Sequence, residues 1–368
     1  MRPVYLNQAG TSWPKPACVQ DACQHAMHTD VSEWAGQFAA QHQKIASYFG
    51  IHDPQSLLLT PGCTSALNVA VEDHDWQTGD AVCFSSYEHH ALHRPLLKLA
   101  QRDVDLHVIP PSEDSAFSLH RLEEILCSRE VKLVAVTAAS NVTGELLPIQ
   151  EITTLAHRHG ANILIDGAQL VGWFDLNLPD SAFDLFAFGG HKGLLAPWGI
   201  GGLYMRPGLE MSAAQATCSM DSETKECSGQ PSYCDVGSVD RIALAGLASS
   251  SNWIRQQDES SILARCRDFI AEMQSVLRAN PKVSVLGNLD VEQRLPTIAF
   301  QHRELSNERI AERLFANGIT TTTGLQCAPM AHEMLGTAPE GVTRLSVGAM
   351  NTQDEIDLAC EALRKIER

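Results

Sequence analysis

Apolar runs alternate with helical patterns over the first two thirds of the chain. The helical patterns begin near Thr64, near His89 and at Ile149, and the third ends in basic residues and Gly160, as helix C-termini prefer. The apolar runs are "SLLLT" (56–60), "DAVCFSS" (80–86), "VKLVAVTAAS" (131–140) and "ANILIDGAQ" (161–169). Strands that are apolar on both faces and separated by helices belong to parallel sheets covered by helices. The pattern therefore predicts an α/β fold.

The last third of the chain predicts a second, smaller domain. A polar stretch at 217–235 has the composition of a long loop, and a helix from about Ala243 to Gln256 follows it. The later segments are helical "ILARCRDFIAEMQSVLRAN" and "NERIAERLFANG", the strands "KVSVLG", "RLPTIAFQ" and "GVTRLSVG", and a final helix that begins at a Thr352/Glu355 capping box. We expect a large domain over residues 12–250 and a small domain built from 1–11 and 251–368.

Composition narrows the functional classes. The 368 residues are 44% hydrophobic, which is ample for a large core. No apolar run predicts a membrane span, and the first residues do not resemble a secretory signal. The 11 cysteines are scattered without zinc-site spacing, which predicts no metal site and suits the reducing cytoplasm. The net charge of −17 argues against nucleic acid as a partner.

Several polar residues directly follow apolar runs. Ligands of open parallel sheets bind beyond the carboxyl ends of the strands, so these residues are candidates for a site. Cys63 and Thr64 open a helix after Pro61-Gly62, and free N–H groups at such a helix start attract anions. Asp166 ends an apolar strand, where a carboxylate needs a cation or hydrogen bonds. Each feature alone also fits an ordinary helix cap.

Two further segments offer chemistry. Lys192 follows the apolar run "FDLFAFGG" and precedes a glycine-rich stretch. A lysine in apolar surroundings has a lowered pKa and can form a Schiff base with a carbonyl compound. By itself, Lys192 could equally extend its amine to water from a strand end. Asn141 and Thr143 follow another strand and, taken alone, form a plain turn.

The order of these motifs resembles a known family. The series "PGCTSALN", "SYEHHALHRPL", "ASNVTGE", "LIDGAQLVG" and "FGGHKGLLAPWGIGGLY" is similar to the pyridoxal-phosphate enzymes of the class V aminotransferase group, and within it to cysteine desulfurases. The resemblance runs from Tyr5 to the final helix. It implies the type I fold of pyridoxal-phosphate-dependent transferases (aspartate aminotransferase-like), with a large mixed, mostly parallel sheet domain and a smaller α/β C-terminal domain.

The resemblance assigns cofactor-binding roles. Lys192 would hold pyridoxal phosphate as a Schiff base and later move the α-proton of the substrate, while Asp166 would pair with the pyridinium nitrogen. His89 would stack on the ring, and Asn141 and Gln169 would bind its 3-oxygen. The phosphate would be bound by Cys63, Thr64 and His191, together with Gly237 and Ser238 from a neighbouring subunit. The last pair implies a homodimer.

The resemblance also implies a reaction. Cys327 lies in "TTGLQCAPMAHEMLGT", which resembles the catalytic loop of the Suf-type desulfurases, and Gly324 and Pro329 bound it as a short loop. Its thiolate would take sulfur from L-cysteine as a persulfide and leave L-alanine, and the sulfur would pass to a protein acceptor. Arg344 would grip the substrate carboxylate, with Asn141 nearby.

Several positions depart from the family pattern. Gly189 replaces a hydroxyl residue, Thr322 an arginine and Gln326 a histidine. The other departures are "LNQAGT" at the N-terminus, "TCSM" at 217–220, and Tyr233 near the place of an arginine. They leave open a selenocysteine lyase, or another class V aminotransferase or β-lyase. A scaffold that delivers sulfur or binds a partner without turnover is a further alternative, but it would not need Lys192 and Asp166.

Overall fold

A seven-stranded sheet forms the centre of the protein. The computed structural model describes residues 3–209 and 240–367, so the predicted loop at 217–235 lies outside the described residues. The strand order is β2-β8-β7-β6-β5-β3-β4, and β8 runs antiparallel to both of its neighbours while the other pairs are parallel. These strands are β2 (Leu57–Thr60), β3 (Ala81–Ser85), β4 (Asp105–Ile109), β5 (Leu133–Thr137), β6 (Asn162–Asp166), β7 (Leu185–Gly189) and β8 (Gly201–Met205). The predicted mixed, mostly parallel sheet is confirmed.

Helices cover both faces of this sheet. On β5, Val134 and Val136 point into one apolar core, whereas Leu133 and Ala135 point into another on the opposite face. The helices of this region are α1 (Ala17–His28), α2 (Trp34–Tyr48), α3 (Cys63–Glu72), α4 (His90–Leu99), α5 (Leu119–Ser128), α6 (Ile149–Arg158) and α7 (Arg241–Gln257). Burial on both faces is the reason that these strands, except the partly exposed edge strand β4, are continuous apolar runs in the sequence.

A smaller antiparallel sheet lies in the C-terminal part, in the order β12-β13-β10-β9. Its strands are β9 (Val283–Leu286), β10 (Thr297–His302), β12 (Thr322–Gly324) and β13 (Val342–Ser346). The helices are α8 (Glu259–Arg278), α9 (Asn307–Ala316), α10 (Pro329–Met334) and α11 (Gln353–Arg364), and the predicted Thr352/Glu355 capping box opens α11.

The N-terminus joins this C-terminal part. β1 (Val4–Tyr5) pairs in parallel with β11 (Ile319–Thr320), and Val4 and Leu6 belong to the apolar core formed by α8 and α11. The predicted domain division near residue 250 falls inside α7 and stays a prediction. Within the described residues, no helix is long and apolar enough to cross a membrane.

The topology gathers the candidate residues at one edge of the large sheet. Strands β2, β3, β5, β6 and β7 run in the same direction, so their carboxyl ends meet at that edge. The segments that follow these five ends carry Cys63, His89, Asn141, Asp166 and Lys192. This is the position at which open parallel sheets bind ligands.

Candidate active site

The turn that carries Lys192 is fixed by the N-terminal segment. The carbonyl oxygen of His191 accepts hydrogen bonds from the backbone N–H of Ser12 at 2.8 Å and from Lys15 Nζ at 3.1 Å. Gly193 lies so close to the neighbouring turn that an added Cβ would be 2.2 Å from the carbonyl oxygen of Val171. A side chain at position 193 would therefore displace the turn that positions Lys192.

Asp166 is buried, Lys192 is half-buried, and the two side chains influence each other electrostatically. Burial lowers the pKa of the Lys192 amine and raises the pKa of the Asp166 carboxyl, while the charge of each opposes the shift of the other. Asp166 Oδ1 also accepts from the backbone N–H of Ala168 at 2.9 Å, which favours the ionised form. The pair therefore presents an amine that loses its proton more readily than an ordinary lysine, together with a carboxylate.

Cys63 begins α3 beside Asp166. Its Sγ lies 3.4 Å from Asp166 Oδ1, and burial, followed by the Asp166 charge, raises the pKa of the thiol well above its usual range. Cys63 therefore stays protonated and acts as a weak donor to Asp166 rather than as a nucleophile. An added Cβ on Gly189 would lie 3.5 Å from Cys63 Cβ, an ordinary van der Waals distance.

Glu88 and His89 lie between the end of β3 and the start of α4. The backbone N–H of Ala91 donates to His89 Nδ1 at 3.0 Å, so His89 caps α4. Burial, and then the positive charge of Lys192, lowers the pKa of His89 to about 4, so its ring is neutral at pH 7. Glu88 is fully buried, accepts from Ser85 Oγ and the backbone N–H of Thr137, and has its pKa raised by burial to about 8.

Cys327 is exposed in the loop between β12 and α10, as the positions of Gly324 and Pro329 predict. Gln326 and Cys327 both have left-handed backbones, with φ of 43° and 58°. The carbonyl oxygen of Gln326 accepts from Asn141 Nδ2 at 2.7 Å, and that of Cys327 accepts from the backbone N–H of His90 at 2.8 Å. Two hydrogen bonds from the large-sheet region thus fix the loop.

Arg344 lies on β13 and is 3% exposed. Its Nη1 donates to the carbonyl oxygen of Asn141 at 2.6 Å, and its Nη2 donates to Asn7 Oδ1 at 2.7 Å. Burial lowers the pKa of Arg344 to about 10, so it remains a cation at pH 7. These bonds fix the plane of the guanidinium group, and its remaining N–H groups can bind a carboxylate.

These groups line one cavity of about 510 Å³, a volume within the range of small-molecule sites. It brings together all ten of the predicted site residues that the structure describes: Cys63, Thr64, His89, Asn141, Asp166, Gln169, His191, Lys192, Cys327 and Arg344. Gly237 and Ser238 lie outside the described residues. The described lining residues include two basic side chains, Lys192 and Arg344, but only one carboxyl group, that of Asp166. This excess of basic groups favours an anionic ligand.

The cavity also contains residues that the sequence did not single out as site residues. Among them are Asn7, Ser65, Trp198, Thr322 and Gln326. Asn7, Thr322 and Gln326 are positions at which the sequence departs from the family pattern. These departures were the one feature of the sequence that pointed to them. Ser65 and Trp198 carried no signal beyond their closeness to Thr64 and Lys192 in the sequence.

Comparison with known proteins identifies the family. A family model for class-V aminotransferases matches residues 4–358. The chain belongs to this family. Enzymes of the family depend on pyridoxal phosphate.

Several similar proteins are named cysteine desulfurases. A probable cysteine desulfurase of Vibrio cholerae is 27% identical, over 98% of this chain and 93% of its own length. The structure of a cysteine desulfurase from Thermococcus onnurineus superimposes with a TM-score of 0.88 at 22% identity, over 99% of this chain and 94% of that one. A further structure, the C-DES protein with glycine covalently linked to its pyridoxal-phosphate cofactor, has a TM-score of 0.83 at 18% identity, over 98% and 96% of the two chains.

The residues of the cavity fit pyridoxal phosphate. Five buried polar atoms of the lining have no hydrogen-bond partner among residues 3–209 and 240–367, namely Asn141 Oδ1, His191 Nδ1, Arg344 Nε, Gln326 Nε2 and Gln326 Oε1. A ligand with polar groups on several sides would satisfy such atoms. The N-terminus of the 10-residue helix α3 suits the phosphate, the Lys192 amine suits the aldehyde, and the Asp166 carboxylate suits a protonated ring nitrogen.

Proposed function

We propose that this protein is a pyridoxal-phosphate-dependent cysteine desulfurase. It converts L-cysteine to L-alanine and holds the sulfur as a persulfide on Cys327. The observation that carries the proposal is that one cavity is lined by a partly buried amine, a buried carboxylate and, on a loop at its edge, an exposed thiol. The names of relatives that are 27–29% identical and matched over 93–95% of their own length support the same activity.

Lys192 and Asp166 would hold the reactive part of the cofactor. When bound, pyridoxal phosphate supplies an electron sink for a carbanion. The Lys192 amine would bind the aldehyde, and its lowered pKa increases the uncharged, nucleophilic fraction. Asp166 would keep a proton on the ring nitrogen, and the two donors on its Oδ1 leave Oδ2 available for that contact.

Substrate binding and proton transfer follow from the same geometry. Arg344 binds the carboxylate of the amino acid, since it is the buried cation of β13 within the cavity. When the substrate is bound, the Lys192 amine accepts the proton from the α-carbon of the substrate. His89, which is neutral at pH 7, would stack on the ring and would add no charge there.

Cys327 performs the sulfur transfer. Its thiolate attacks the sulfur of the bound cysteine, so that a sulfur–sulfur bond forms and the bond between that sulfur and the substrate Cβ breaks. The electron pair of the broken bond stays on Cβ, which takes up a proton, and alanine leaves. Because Cys327 is exposed, the persulfide can be reached by a sulfur acceptor, which we take to be a protein.

We further propose that the enzyme is a cytoplasmic homodimer. All eight cysteines of the described residues are free thiols, as a reducing compartment favours. Gly237 and Ser238 would complete the phosphate site of the neighbouring subunit, as the family resemblance implies.

Product analysis tests the proposed reaction. The purified enzyme, loaded with pyridoxal phosphate, is incubated with L-cysteine, and alanine is quantified by chromatography. We expect alanine in proportion to the sulfur released. Pyruvate and ammonia in place of alanine would identify a β-lyase, and turnover of selenocysteine but not cysteine would identify a selenocysteine lyase.

A further inference from the structure

The side-chain amide of Gln326 lines the cavity beside Cys327. Its Nε2 and Oε1 atoms are both buried, and neither has a hydrogen-bond partner among the residues at 3–209 and 240–367. Buried amides are normally paired, because an unpaired donor or acceptor has lost its hydrogen bonds to water. A buried amide with both ends unpaired, on the wall of a ligand cavity, indicates a contact with the ligand.

The backbone holds this amide in place. The left-handed conformations of Gln326 and Cys327 are uncommon for residues other than glycine, and they persist only where the surroundings enforce them. The enforcing contacts are the Asn141 and His90 hydrogen bonds to the two carbonyl oxygens of this turn. In this conformation the Gln326 amide is buried against the cavity while Cys327 stays exposed. The amide is therefore pre-positioned, which limits the entropy lost on binding.

The location of Gln326 favours the substrate over the cofactor as its partner. The groups that fit the cofactor follow strands of the large sheet, whereas Gln326 precedes the nucleophile and follows β12, the neighbour of the Arg344 strand. β12 and β13 are paired, with Thr322 opposite Arg344. Gln326, Cys327 and Arg344 line the same cavity, so a substrate that contacts Arg344 and Cys327 occupies the cavity that the Gln326 amide also lines.

We propose that Gln326 binds the amino-acid substrate through its side-chain amide and helps to determine which amino acids the enzyme accepts. Nε2 donates to the substrate carboxylate, and Oε1 accepts from its ammonium or thiol hydrogen. Because an amide does not titrate near neutral pH, Gln326 positions the substrate without moving a proton. This inference rests on the proposed desulfurase function.

The Gln326→Leu variant tests the inference by steady-state kinetics. Leucine keeps an unbranched Cβ in the left-handed turn but removes the amide. We expect KM for L-cysteine to rise roughly 10- to 100-fold while kcat changes by less than about threefold, since a contact to a charged group is lost. Thermal stability without substrate should be unchanged or higher, because two unpaired buried atoms are removed. The cofactor absorbance should be unchanged.

Two further variants sharpen the test. Gln326→Glu is nearly isosteric but brings a carboxylate towards the carboxylate of the substrate, so its KM should exceed that of the leucine variant. Gln43→Leu is the matched control, since Gln43 is exposed on α2 and its amide contacts Ser47 Oγ at 3.3 Å. Its kinetics should equal those of the wild type.

The outcomes separate the inference from the proposed function. Normal wild-type turnover together with an unchanged KM in Gln326→Leu would overturn the inference alone. Lower thermal stability or weaker cofactor binding in that variant, with KM unchanged, would assign Gln326 to the fold or the cofactor and would also overturn it. A wild-type enzyme that makes no alanine would overturn the proposed function as well.

Discussion

Asn141 Nδ2 donates a hydrogen bond to the carbonyl oxygen of Gln326 over 2.7 Å. The bond joins the turn after β5, in the large-sheet region, to the loop that presents Cys327. The carbonyl oxygen of Asn141 in turn accepts from Arg344 Nη1 at 2.6 Å. Asn141 therefore links Arg344, the proposed carboxylate-binding residue, to the loop that carries Cys327. The second hydrogen of Asn141 Nδ2 remains available for the cofactor.

Removal of this link should loosen the cysteine loop. In Asn141→Ala we expect faster hydrogen exchange of the backbone amides at 325–328. The left-handed residues Gln326 and Cys327 lose one of the two hydrogen bonds that hold their turn in place. Persulfide formation in a single turnover should slow by roughly tenfold or more, since the thiol is less often in position. Asn317→Ala, at an exposed helix end, is the control and should change neither. Unchanged exchange at 325–328 in Asn141→Ala would refute the fixing role.

Cys327→Ser should separate sulfur transfer from cofactor binding. The serine hydroxyl is a poor nucleophile towards sulfur, so alanine production from L-cysteine should fall by at least about a hundredfold. The yellow colour of the bound cofactor should persist, because Cys327 does not hold it. Cys127→Ser, at another exposed cysteine, is the matched control and should retain full activity. Alanine production that survives in Cys327→Ser would favour a lyase without a persulfide.

Glu88 should make the stability of the protein depend on pH. Its folded-state pKa of about 8 lies above the value of an unfolded glutamate, so the folded state binds more protons between those two values. Stability should therefore fall as the pH rises through this window, by as much as about 5 kcal/mol from this group.

The Glu88→Gln variant isolates that contribution. Its stability relative to the wild type, measured by urea denaturation of the cofactor-free protein, should increase from pH 5 to pH 9. The exposed Glu130→Gln variant should show no such trend. A constant difference between Glu88→Gln and the wild type across this range would show that Glu88 is ionised throughout.

The sequence predicted the large sheet well because burial on both faces leaves a simple signal. Except for the partly exposed edge strand β4, each of its parallel strands is a continuous apolar run, and the polar residues at the ends of five strands meet at one edge. Their positions made Lys192 and Asp166 candidates, and the family resemblance then implied their roles. The reversed direction of β8 left no such signal, because an apolar run does not encode the direction of its neighbours.

Other parts of the site depend on contacts between distant segments. Arg344 and Asn7 are joined by a hydrogen bond across almost the whole chain, and the N-terminal Ser12 and Lys15 fix the turn of Lys192. The role of Gln326 depends on the left-handed backbone conformations of Gln326 and Cys327. The sequence does not reveal them, because neither residue is a glycine. In the sequence, Gln326 was notable only because it replaces the histidine of the family pattern.

The central claim is that Lys192 holds the cofactor covalently. The most direct measurement is reduction of the cofactor-loaded protein with borohydride, followed by proteolysis and mass spectrometry of the lysine peptides. We expect the reduced pyridoxal phosphate on the peptide that contains Lys192, and its loss, together with the yellow colour, in Lys192→Ala. Lys15 is the internal comparison, because burial also lowers its pKa, to about 8. Cofactor found on Lys15 or on no lysine, with the Lys192 peptide unmodified, would contradict the account.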